Sequence, residues 1–410
     1  MGWSWFLGLL LLQVVSSKVH YSGEIADEGG AVQSGDVWVG GGITSQAPFG
    51  FSGSSGSPKS RFSGAYTALQ AWKSAITEDP SGILNSWVGS DVCSYKGVFC
   101  SQLVESMPSG LVVAAIDLNH ANLKGYLVKE LSLLSDLTVF HINSNRFSGT
   151  VPDSFRNLEN LSELDLSNNQ FSGPFPSVTL LLPSLIYLDI RFNRFTGSLP
   201  EELFNKNLDA IFLNSNLFDG QIPQSLGNSP ASVINVANNR FVGNIPASFG
   251  YMGPRIKEIL FLNNNLTGCI PEGVGLLSEI ELLDVSFNSL SGHLPDTMAC
   301  LSEIEVLNLA HNKLSGVIPD IICSLKNLLN LTVSYNFFSG FSQDCGNVRN
   351  RGFDFAGNCI PGSYMQRHPP ECLGAPININ CLRIPAAGPV VCGSSDLKQT
   401  NHDMPQSTTP

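Results

Sequence analysis

The stretch FHINSNRFSGTVP, residues 140–152, returns as LDLSNNQFSGPFP at 164–176 and as LDIRFNRFTGSLP at 188–200. Each copy opens on alternating apolar residues, the mark of a short strand with one buried face. Each then sets an Asn, an aromatic ring, a Gly and a Pro at fixed offsets, and this punctuation stops any long helix or strand. Aligned on its Gly, the pattern falls at Gly125, Gly149, Gly173, Gly197, Gly220, Gly243, Gly268, Gly292, Gly316 and Gly340, 23 to 25 residues apart. Repetition at this period means a stacked array, and an array suits a chain of 410 residues, too long for one compact core.

The unit reads L-x-L-x-x-N-x-L/F-x-G-x-I/L-P, a leucine-rich repeat of the plant-type 24-residue length. The fold class that follows is an α/β solenoid. Residues such as Leu164 and Leu166 point inward from a strand. An inward Asn, from Asn145 to Asn336, must find partners among loop backbone groups of neighbouring coils. Phe147, Phe171, Phe195, Phe218 and Phe241 form a spine of rings, and the Pro fixes φ where the convex side begins. One unit cannot bury its own apolar edges, so the stack needs lids at both ends.

The ends of the chain supply them. Residues 64–110 read as an N-terminal cap, with Leu69, Trp72 and Ile76 at helical spacing, a stop at Asp79-Pro80, and a staple between Cys93 and Cys100. Ten repeats occupy 111–340, and 341–392 is a Cys-rich C-terminal cap. Ten cysteines permit full pairing in an oxidising compartment, but their spacing does not reveal the partners of the later eight. Residues 1–17 carry an apolar run followed by small residues, as a secretory signal does, and are too short to span a bilayer. Residues 18–63 read as a Gly/Ser-rich flexible leader and 393–410 as a disordered tail. No other segment predicts a membrane span. Asn160, Asn265 and Asn330 head glycosylation sequons in a secreted chain. A glycan on Asn330 would crowd the C-terminal end of the concave face.

Between the two inward apolar residues of each strand one side chain faces the concave side. The series runs Asp117, His141, Asp165, Asp189, Phe212, Asn235, Leu260, Asp284, Asn308 and Thr332. Ten strands make a strip roughly 45 Å long, room for an extended peptide of about a dozen residues. Its middle is distinctive. Glu163, Asp165 and Asp189 bring negative charge, Tyr187, Phe192 and Phe212 bring exposed rings, and Arg191 holds the carboxylates. A basic peptide with an apolar anchor is the complement. The plainer reading makes Asp a soluble filler there and packs Phe192 against its neighbour.

A net charge of −12 argues against a nucleic-acid partner and leaves a basic one open. No H-E-x-x-H, G-x-S-x-G, P-loop or C-x-x-C occurs, so the reading is of a non-enzyme with no metal and no cofactor. His141 beside Asp165 resembles half a triad without a nucleophile, and His120 and His311 read as ordinary surface residues.

ALQAWKSAI, NSWVGSDVCSYKGVFC, IDLNHANLKGYL, FHINSNRFSG, LDAIFLNSNLFDGQIP, DVSFNSLSGHLPD and NCIPGSYMQRHPPEC together resemble the leucine-rich repeat extensins of plants, over roughly residues 64–372. The resemblance implies a secreted protein of the cell wall and apoplast. It also implies a repeat domain that binds basic, cysteine-rich signalling peptides of the rapid alkalinization factor type, and a homodimer through the Cys-rich segment. The chain ends at SSDLKQTNHDMPQSTTP without the family's Ser-Pro-rich extensin module, so the expectation is a repeat-only, diffusible relative. Two rivals use the same surface: an inhibitor of wall-degrading hydrolases such as polygalacturonase, and a structural wall protein that contacts pectin.

Overall fold

The computed structural model describes residues 58–102, 110–341, 345, 352–374, 381 and 392. The signal segment, nearly all of the leader and the C-terminal tail lie outside the described residues.

The cap opens on an α-helix, Pro58–Ala75, which begins six residues inside the segment read as leader. Ala65, Ala68, Leu69, Trp72 and Ala75 recur at helical spacing and are buried against the first coils. The helix stops before Asp79-Pro80, because Ile76–Glu78 leaves it to pair antiparallel with Lys124–Tyr126. Asp79 serves the next turn instead: its carboxylate accepts the N–H groups of Ile83 and Leu84 at 3.0 and 2.8 Å. Cys93 and Cys100 are disulfide-bonded beside stacked Trp87 and Tyr95.

The concave wall is one twelve-stranded sheet. Cap strand Val98–Gln102 pairs antiparallel with Leu111–Asp117, the strand of coil 1. Parallel partners follow in chain order: Val139–His141 (coil 2), Glu163–Asp165 (3), Tyr187–Asp189 (4), Ala210–Phe212 (5), Val233–Asn235 (6), Glu258–Leu260 (7), Leu282–Asp284 (8), Val306–Asn308 (9) and Asn330–Thr332 (10). Gly352–Asp354 adds an eleventh coil. The array therefore runs past residue 340. The segment 353–362 repeats the strand, its Asn and, at Gly362, the left-handed Gly, without the Pro that follows elsewhere.

The inward Asn residues stitch coil to coil. Asn193 donates from Nδ2 to the carbonyls of Leu166, Ile190 and Arg191 at 2.9, 3.1 and 3.1 Å, and its Oδ1 accepts the N–H of Phe171 at 2.9 Å. Asn358 closes the ladder in the same way, donating to Val333 and accepting from Phe338. A buried amide thus finds a partner for every group that water would have served. Alongside, Phe171, Phe195, Phe218 and Phe241 stack with centroids 6.1–6.4 Å apart.

Prolines such as Pro152 and Pro271 start short 3-10 turns on the convex side, Asp153–Asn157 and Glu272–Leu276 among them. Two of these turns press so closely that a Cβ on Gly250 would sit 2.3 Å from the carbonyl oxygen of Gly273. The later cysteines pair as Cys269–Cys381, Cys300–Cys392, Cys323–Cys345 and Cys359–Cys372. Among the described residues no helix is long and apolar enough to cross a membrane.

Candidate binding face

On the sheet each Asp and Asn of the central concave column has a local duty that its spacing did not show. The carboxylates of Asp117, Asp165, Asp189, Asp284 and Asp354, and the amides of Asn235 and Asn308, each accept the N–H two residues on, at 2.8–3.3 Å. A short side-chain acceptor closes the turn that leaves the strand. Asp and Asn at this position are structural first, and the soluble-filler reading misses this.

The expected cluster is brought together in part. Asp165 pairs in register with His141 on one side and Asp189 on the other, and Glu163 pairs with Tyr187. Two expectations are corrected. Asp189 is fully buried and presents no surface charge. Phe212 is buried as well, 8% exposed, because Arg191 lies over its ring at 5.0 Å and Tyr187 packs on it at 5.8 Å. Arg191 does hold a carboxylate: Nε lies 3.0 Å from Oδ2 of Asp189, and its backbone N–H reaches Oδ1. The Tyr187 hydroxyl donates to the same Oδ2 at 3.4 Å.

Burial first, and then the neighbouring charge of Asp165, push the Asp189 carboxyl up to about 8, against the pull of Arg191. Burial and the same two carboxylates push the Tyr187 hydroxyl far up as well. His141 is buried, with Nε2 3.1 Å from Oε2 of Glu163. Burial, the largest single influence, lowers its pKa, but Glu163, Asp165 and Asp117 together outweigh it, so His141 titrates above its ordinary range.

Phe192 is not in the cluster. It stands at the strand exit, 43% exposed, with φ of +52°. It belongs to a rim column of left-handed residues one place before each ladder Asn, among them Ser144, Asn168, Asn238, Asn263, Phe287, His311 and Tyr335. His311, expected as a plain surface residue, is sandwiched there between Phe287 and Tyr335. Among the sequons, Asn265 is exposed, Asn160 is half-buried and donates to the Ser135 carbonyl, and Asn330 opens the strand of coil 10 on the concave face.

What remains at the surface, beside the partly exposed Arg191, is anionic. Among the described residues, no Lys or Arg nitrogen pairs within 4.0 Å with Asp117, Glu163 or Asp165. Asn214, next to Arg191 in the following coil, keeps a buried Oδ1 without a donor among the described residues.

The pattern described as "Leucine rich repeat N-terminal domain" matches residues 65–101, and the "Leucine rich repeat" patterns match 135–195 and 303–325. Leucine-rich repeat extensin-like protein 4 of Arabidopsis thaliana is 68% identical over 154 residues, 38% of this chain and 31% of that protein. Protein 7 of the same series is 62% identical over 228 residues, 56% of this chain and 52% of that protein. The chain spans about half or less of the length of these relatives. The ectodomain of the Arabidopsis receptor kinase HAESA, solved with a peptide hormone ligand, superposes with a TM-score of 0.62 at 29% identity, over 73% of this chain and 50% of that one. Five disulfides and these likenesses fit an oxidising, extracellular setting. By these identities the repeat region of the chain is similar to the plant leucine-rich repeat extensin-like proteins.

Proposed function

We propose that this is a secreted, non-enzymatic binding protein of the plant cell wall. Its concave face takes up basic, cysteine-rich signalling peptides of the rapid alkalinization factor type, in wall formation and growth signalling. The observation that carries the reading is the group of Asp117, Glu163 and Asp165 on the two strands that flank His141, unmatched by any Lys or Arg among the described residues. His141 faces all three and offers them one shared imidazole, so the carboxylates outnumber it, and surplus like charge on one face costs stability unless a further counter-charge arrives. The half-buried Tyr187, tilted against Phe212, gives an anchoring ring beside them. Peptide-hormone binding by the HAESA ectodomain adds support, since that structure shares the solenoid. All ten cysteines pair within the chain, so a homodimer through the Cys-rich segment would rest on non-covalent contacts.

The test is a calorimetric titration of the oxidised protein with such a peptide at low and high salt. Binding that weakens as salt rises, and falls further in Asp117→Asn/Glu163→Gln/Asp165→Asn, is the expected result. Unchanged affinity in that variant overturns the site. Inhibition of a polygalacturonase without peptide binding favours the hydrolase-inhibitor reading.

A further inference from the structure

Beyond the acidic patch, the concave sheet changes character. In coils 6 to 9 its outward positions carry Val233, Leu260, Leu262, Leu282 and Val306, all but Leu282 partly open to solvent. Asp284, the one carboxylate in the central column there, is fully buried. Ser286 donates to its Oδ1 through backbone and hydroxyl, and Asn308 donates to its Oδ2. The floor of these coils is mostly apolar, broken by half-buried Glu258, in register between Val233 and Leu282, and by the amides of Asn235 and Asn308.

The rim changes in step. In earlier coils the left-handed column is polar except for the ring of Phe192, and its amides bridge coils: Asn168 donates to Ser144, and Asn263 to Asn238, both at 2.9 Å. Asn enters this conformation readily, and bulky residues do so at a cost. Yet coils 8, 9 and 10 place Phe287, His311 and Tyr335 there, with φ of +54°, +54° and +56°. The rings stack at 4.1 and 4.3 Å, each pair 14° from parallel, and Phe287 and Tyr335 remain 42% and 45% exposed. The sheet's hydrogen bonds run through these residues, from Phe287 N–H to the Ala310 carbonyl and from His311 N–H to that of Ser334. The stack is therefore a rigid aromatic wall along the apolar floor. A backbone cost accepted at Phe287 and Tyr335, on either side of His311 and with both rings left to solvent, marks a surface that contacts something.

We propose that coils 6 to 10, with Phe287, His311 and Tyr335 as the wall, form a second subsite for the apolar segment of the ligand whose basic segment lies on Asp117, Glu163 and Asp165. The inference rests on the peptide-binding reading above. One continuous sheet joins the two halves, so a single extended chain can cover both. From coil 3 to coil 8 is five strand spacings, about 24 Å, or about seven extended residues. The ligand class is thus a peptide with cationic and aliphatic or aromatic segments separated by that interval, bound in one direction.

The experiment uses the full oxidised chain and synthetic twelve-residue peptides, each made in both chain directions. One carries four Arg in one half and Ser and Gly in the other; its counterpart replaces the Ser/Gly half by Leu and Phe. On the wild-type protein the apolar half is expected to raise affinity about tenfold, a hot-spot-sized gain. In Phe287→Asn/Tyr335→Asn, which restores the residue type of earlier coils, the gain should fall below about threefold with the thermal midpoint kept. A gain that survives in this variant, or none on the wild type, overturns the subsite. The acidic patch is judged separately: absence of salt-sensitive binding by the Arg and Ser/Gly peptide overturns the peptide reading itself.

Discussion

Arg191 and Asp189 meet with Nε 3.0 Å from Oδ2, and the carboxyl is fully buried while the guanidinium stays partly exposed over Phe212. Burial wins over the ion pair, so the folded protein holds the Asp189 proton up to about pH 8, whereas an unfolded Asp loses it near pH 3.9. Between those values the folded state binds the extra proton, so stability is full at the acid end and declines as pH rises through 8. His141, also raised when folded, adds a contribution of the same sign that fades above its ordinary range. The thermal midpoint is expected to fall from pH 5 to pH 8. Asp189→Asn keeps the turn acceptor and cannot ionise, so its profile should be flatter. Parallel profiles in a scanning-fluorimetry series would show that Asp189 is not the group responsible.

Asp165 has two duties that a pair of substitutions separates. Its Oδ1 accepts both the backbone N–H and the hydroxyl of Ser167. Asp165→Asn keeps that acceptor and removes the charge, so peptide affinity should drop while stability changes by less than about 0.5 kcal/mol. Asp165→Ala removes both and should cost about 1 kcal/mol more in urea unfolding, the usual contribution of one hydrogen bond. If the two variants are equally stable, the turn does not depend on the side chain.

The repeat was legible because its letters are mechanical: the Asn, the ring and the Gly recur whatever the coil does for a living, and stacking demands all of them. Burial on the concave side was not legible. Periodicity puts Asp165, Asp189 and Asp284 in one column, yet Asp189 and Asp284 are wholly covered and Asp165 is not. The difference comes from neighbours one coil away, such as Asn308 against Asp284, which a single repeat does not show. Phe192 was misplaced for a related reason: the residue before the ladder Asn turns left-handed and leaves the face its strand occupies. The eleventh coil hid because it keeps the strand, Asn358 and Gly362 but lacks the Pro, and lies among the cysteines read as a cap.

The Asn ladder predicts an order of harm at Asn216. Its Nδ2 donates to Ile190 and Leu213 at 2.9 and 3.1 Å, and its Oδ1 accepts the N–H of Phe195 at 3.0 Å. Asn193 and Asn239 also donate to those carbonyls, so Asn216→Ala orphans chiefly the Phe195 N–H. The expected loss is about 2–4 kcal/mol, one unsatisfied buried group plus a small cavity. Asn216→Asp keeps the acceptor but points a buried carboxylate at two carbonyl oxygens, and should be worse. Urea midpoints decide the order; an Asp variant more stable than the Ala variant would contradict the donor role given to Nδ2.

The Cys269–Cys381 bond closes a separation of 112 residues and ties the C-terminal segment back to the turn that follows Gly268. Chain entropy alone would assign such a loop about 4–5 kcal/mol, an upper value. In a solenoid each coil contacts only its neighbours, so the effect of losing the bond should be local. In Cys269→Ser/Cys381→Ser, amide exchange should quicken in coils 7 to 11 and stay unchanged in coils 1 to 5. Affinity for an Arg-rich peptide on Asp117, Glu163 and Asp165 should survive, while any contribution from the Phe287–His311–Tyr335 wall should weaken, because that wall stands on the loosened coils. Uniform acceleration along the whole array would mean that the coils unfold as one cooperative block, and the two halves of the concave face would then lose binding together.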